Sequence, residues 1–143
     1  MLNKKYTKIA GIAFSFMLIA GLAVPSYAQT KEYTYNIKIG ENETKFAATK
    51  AGGSNFENKF YVTQTFTACP PGKTTTFVYH PRYNGVKMAN NVKLKGGEIE
   101  KKSSNTYLSG KAIAGRSYKL RCKVKDSNSS HSGYTTVKGR WTP

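Results

Sequence analysis

The chain has 143 residues, with 23 Lys or Arg against 7 Asp or Glu and a formal net charge of +16. That length gives one modest domain, and so few carboxylates argue against an enzyme built on paired acids. The positive excess directs attention to anionic partners.

The first 28 residues read as a signal peptide. Lys4, Lys5 and Lys8 precede the apolar run "IAGIAFSFMLIAGLAV", Pro25 breaks it, and Ser26 and Ala28 occupy the small-residue positions of a cleavage site. The run is short for a membrane span. A secreted domain over residues 29–143 is expected, starting at Gln29, with no transmembrane segment. The basic excess is lopsided: residues 29–72 hold five basic and four acidic groups, and residues 73–143 hold fifteen and three.

Alternation of period two runs through this domain, punctuated by turn residues. "EYTYNIKIG" sets Tyr33, Tyr35, Ile37 and Ile39 on one face. "TKFAATKAGGS" is a weaker strand ending at Gly52–Gly53. "KFYVTQTFTAC" places Phe60, Val62, Gln64, Phe66 and Ala68 together, and Pro70 and Pro71 stop it. "TTTFVYHPRYNG" is a strand and turn, with Thr76, Val78 and His80 opposite Phe77 and Tyr79. "VKLKGGEIEK" predicts a hairpin about Gly96–Gly97, pairing Lys95 with Glu98, Leu94 with Ile99 and Lys93 with Glu100. "NTYLSGKAIAG" leads into "RSYKLRCKVKD", which "DSNSSHSG" ends. "YTTVKGRW" is the last strand, expected to pair back on "YKLRCKVK". About seven or eight short strands predict an all-β, antiparallel β-sandwich.

Cys69 and Cys122 in an exported chain predict one disulfide. It would close a loop of about 54 residues, worth roughly 4 kcal/mol in the chain-entropy account.

No catalytic residue, metal site or cofactor is expected. Glu98 and Glu100 are assigned lysine partners by the hairpin, and His80 and His131 lack local Cys, Asp or Glu companions at metal-ligand spacing. The informative feature is Lys119, Arg121, Lys123 and Lys125, four alternate positions on one strand face behind which lie Tyr118, Leu120, Cys122 and Val124. If the last strand pairs alongside, Lys138 and Arg140 widen this ladder into a polyanion-binding patch. Lysine on an edge strand is also a common protection against aggregation, so the position of this strand in its sheet decides between the two.

The lysine-led leader, the strand "YTYNIKI", the β-only body and the closing "GRW" (Gly139, Trp141) resemble small secreted proteins of Gram-positive bacteria grouped in families of unknown function. The chain is more distantly similar to the lactococcin-type β-sandwich bacteriocins. The export signal, the few carboxylates and the basic ladder predict a secreted or loosely wall-associated, non-catalytic basic protein, and neither resemblance supplies a set of catalytic residues. Its partner would be an anionic cell-wall polymer or an anionic membrane surface. Export argues against nucleic acid. The alternative is a bacteriocin-like antagonist of neighbouring bacteria.

Overall fold

The structure is a computed structural model that describes residues 27–143; the leader expected over 1–28 falls almost wholly outside them. Nine strands follow in order: β1 (Lys31–Lys38), β2 (Asn42–Thr49), β3 (Lys59–Ala68), β4 (Thr75–Tyr83), β5 (Val86–Lys87), β6 (Val92–Lys95), β7 (Ser103–Thr106), β8 (Ser117–Asp126) and β9 (Tyr134–Thr142). They form two sheets, both antiparallel. The first has the order β1-β9-β3-β7; the second has β2-β8-β4-β5, with β6 also paired to β4. The chain is thus an all-β, sandwich-like domain.

The alternating side chains explain the core. Tyr33, Tyr35 and Ile37 of β1, Phe60 and Val62 of β3, Phe77 and Tyr79 of β4, and Val137 and Trp141 of β9 are all buried. From β8 the buried set is Tyr118, Leu120, Cys122 and Val124. This core is rich in tyrosine, so its hydroxyls need partners. Tyr35 donates to the Leu120 carbonyl (2.5 Å) and Tyr79 to Gln64 Oε1 (2.9 Å), each linking one sheet to the other. Gln64 donates in turn to the carbonyls of Lys95 (3.1 Å) and Glu98 (2.9 Å), fixing the turn after β6. Gly139 is required where β9 passes β3: a Cβ there would collide with the Thr63 carbonyl and the Tyr33 ring.

Four sequence expectations change. The last strand does not pair with "YKLRCKVK". Both edges of β8 are occupied, by β2 and β4, so residues 127–133 carry the chain across to the other sheet, where β9 lies between β1 and β3. The expected Cys69–Cys122 disulfide is absent, and both cysteines are free thiols. Cys69 packs against Gly96, beside Thr75. Thr75 pairs with Asp126, whereas Cys122 pairs with Tyr79, four residues further along β4. At about 3.3 Å per residue that is roughly 13 Å, about twice the Cα separation a disulfide spans.

The Gly96–Gly97 turn forms, with Glu98 N donating to the Lys95 carbonyl (3.1 Å) and Lys95 N to Glu98 Oε2 (2.7 Å). The hairpin beyond it does not, because the chain leaves β6 after the turn and crosses to β7 in the other sheet. Glu98 forms its ion pair with Lys101 and Glu100 with Arg140, so neither is salt-bridged to Lys93 or Lys95, although Glu98 stays within electrostatic reach of Lys95. Finally, a bulge between Gln64 and Phe66 turns Phe66 outward, under the Lys138 ammonium (5.5 Å to the ring centroid).

Candidate functional site

β8 is an interior strand, flanked by β2 over Ser117–Lys123 and by β4 over Lys119–Asp126. Its positive ladder therefore sits in the middle of a sheet face, and protection of a free edge does not account for it. Residues directly opposite in an antiparallel pair share a face, so the register defines four rows across this outer surface. Lys95, Thr76 and Lys125 form the first; Lys93, Val78, Lys123 and Asn42 the second. His80, Arg121 and Thr44 form the third; Lys87, Arg82, Lys119 and Ala47 the fourth.

Eight cations thus share one face, and none of the rows contains a carboxylate. The nearest acid on β2, Glu43, is the partner of Cys122 and so points to the other side, where it pairs with Lys45. None of the ion pairs among the described residues uses a cation of this face. Arg121 Nε donates instead to a neutral acceptor, Asn42 Oδ1 (3.0 Å). Neighbouring like charges on a sheet repel by roughly a few tenths of a kcal/mol per pair, a cost that an anion on the face would offset.

Two depressions lie on the face. One, of about 380 Å³, is bordered by Lys73, Lys93, Lys95 and Lys125. Asp126 also lines it, but its carboxylate is already engaged by Thr75 Oγ1 (2.6 Å), the Asn128 amide (2.8 Å) and His131 Nδ1 (3.1 Å). Against the cost of burial, those bonds hold Asp126 well below the usual carboxylate range. The other depression, of about 330 Å³, is lined by Arg82, Lys119, Tyr83 and the hydroxyl residues Thr44 and Ser117. Arg116 stacks on the Tyr83 ring (4.4 Å) at its margin.

His80 is embedded in this face. It is only 6% exposed, and neither ring nitrogen has a hydrogen-bond partner. Burial, followed by Arg121, Lys87 and Arg82, pushes its pKa down to about 4.

The predicted ladder residues Lys119, Arg121, Lys123 and Lys125 are therefore together. Lys138 and Arg140 are not with them: both project from β9 on the outer side of the other sheet, Lys138 over Phe66 and Arg140 bound to Glu100 (2.9 Å). The sequence reading missed Arg82, Lys87, Lys93 and Lys95 as members of the face. The alternation Lys93–Leu94–Lys95 signalled the last two, but the expected hairpin neutralised them with Glu98 and Glu100.

The groups weighed for catalysis do not converge. Glu98 and Glu100 turn to separate cations. His131 has Asp126 and Thr74 at Nδ1 and Asn128 at Nε2, so both nitrogens serve the loop after β8. Cys122 lies in the core, where burial pushes its thiol pKa up and favours the protonated, unreactive form. Among the described residues no cluster of three or more His, Cys, Asp or Glu could hold a metal ion, and no helix is long and apolar enough to cross a membrane.

Comparison with protein-family models, with curated proteins and with solved structures finds no match to this chain.

Proposed function

We propose that this is a secreted, non-catalytic protein that associates with an anionic cell-envelope polymer through the outer face of the β2-β8-β4-β5 sheet. The observation that carries the reading is the four-row array of eight cations without a carboxylate among them. Side chains two apart on a strand lie roughly 7 Å from one another and neighbouring strands about 5 Å apart. The array thus offers cations at closely repeated intervals to a polymer carrying one charge per repeat unit. Hydroxyls and amides in the same rows, Thr44, Thr76 and Asn42, add neutral hydrogen-bonding groups between the charges.

The test compares retention of the protein on purified cell walls. Substituting Lys119, Arg121, Lys123 and Lys125 together by Gln is expected to release most of the protein at moderate salt and to flatten the salt dependence. Substituting Lys138 and Arg140 by Gln is expected to leave retention near that of wild type. Retention insensitive to salt, or equal loss in both variants, would contradict the proposal.

A further inference from the structure

His80 poses a separate problem within the cationic face. It is buried with both nitrogens unpartnered, and the carbonyl oxygen of its neighbour Asn91, Oδ1, is buried and unpartnered as well. Unsatisfied buried polar atoms are few in native proteins, and three at one place call for a cause. A neutral imidazole has one donor and one acceptor, whereas an imidazolium has two donors. An imidazolium could donate to Asn91 Oδ1 and adds a positive charge beneath the face; because both nitrogens are buried, an anion on the surface acts on the ring through its field and not by direct contact.

The charges around the ring explain why it is neutral while the face is empty. Arg121 stands directly opposite it on β8. Arg82 lies two residues on along β4, with Lys87 of β5 and Lys119 of β8 on either side. Lys123 occupies the adjoining row of β8. The only neutral neighbour acting on the ring is Asn91. The charged groups that act on the ring are thus all positive, the one acid of β8, Asp126, lying at its far end against Thr75 and His131, and burial together with those cations favours the neutral ring. An anion seated among them offsets part of that field and so favours the protonated ring. The arginines have donors for it: each guanidinium has five N–H groups, of which Arg121 commits Nε to Asn42 and Arg82 one to the Gly85 carbonyl.

We propose that His80, Arg82, Lys87 and Arg121 form a discrete subsite for one phosphodiester group of the bound polymer, and that its occupancy is coupled to uptake of one proton by His80. This rests on the reading of the face as a polyanion-binding surface and adds to it a defined position and a pH dependence. Because binding and protonation favour one another, affinity rises as pH falls. If the anion restored His80 fully to an ordinary histidine, the gain between about pH 7.5 and about pH 5 would reach its ceiling of roughly twenty-five-fold.

A phosphodiester lacks the second ionisation near pH 6 of a phosphomonoester, so its own charge does not change over this interval. Calorimetric titration with poly(glycerol phosphate), in buffers of different ionisation heat, measures affinity and proton uptake together. The expected result is tighter binding at the lower pH, with uptake approaching one proton per occupied site. Both features should vanish in His80→Gln and persist in His131→Gln. A second readout needs no variant: at about pH 5.5 the His80 ring-nitrogen resonances of the wild-type protein should change from the neutral to the imidazolium pattern on addition of the polymer. Binding without proton uptake, or uptake retained in His80→Gln, overturns the subsite while leaving the broader reading intact. Absence of binding at either pH overturns both.

Discussion

At the residue scale, His80 has a consequence for stability that does not depend on any ligand. Its pKa is pushed down to about 4 in the folded chain, against an ordinary value near 6.5. As pH falls through that interval the unfolded chain binds a proton that the folded chain refuses, so stability declines with acidification there and levels off below it. The full effect is at most about 3 kcal/mol. Denaturant midpoints measured from about pH 7 to about pH 4 should fall for the wild type, and His80→Phe should remove much of the slope. An unchanged slope in that variant would assign the acid sensitivity elsewhere. Asp126 and Glu98 overlap with it only at the acid end: their pKa values are lowered, so their contributions begin to be lost near the ordinary carboxylate value and go on falling below it. The alternation of "FVYHPR" already set His80 opposite Phe77 and Tyr79. It could not show the covering residue Asn91 or the cation across the strand pair, because both depend on which strands become neighbours.

At the level of elements, the strands themselves were legible because their side chains alternate cleanly. Tyr33, Tyr35 and Ile37 face the core as the pattern requires, and so do all four apolar residues of β8. Partner choice was less legible. Two strands joined by a short polar loop suggested a hairpin at β8 and β9, and two glycines between complementary charges suggested another after β6. The first failed because both edges of β8 were taken by β2 and β4; the second failed because the chain leaves the sheet after the turn and pairs next as β7 with β3 in the other sheet. The cysteines follow from this wiring. With Cys69 near Thr75 and Cys122 near Tyr79, no bridge stabilises the fold. The melting temperature should be the same with and without reductant, and two thiols should react with an aromatic disulfide reagent after unfolding. A fall of several degrees on reduction would contradict the thiol assignment.

For the whole molecule, the two outer faces differ in how they handle charge. On the face carrying β9, Glu32 lies opposite Arg140, Glu100 binds the same guanidinium, and Lys138 covers Phe66. On the face carrying β8, eight cations stand in rows that hold no acid. Composition revealed that residues 73–143 hold most of the excess charge, and alternation revealed half of the array. The rest required β4, β5 and β6 to assemble beside β8, a long-range outcome that no local pattern encodes. The most direct test of the polyanion-binding face is a titration of the isotopically labelled protein with short poly(glycerol phosphate), followed through its backbone amide resonances. The predicted shifts cluster on β4, β5, β6 and β8 and disappear at high salt. Shifts centred on β1, β3 and β9, or no shifts at low salt, would contradict it.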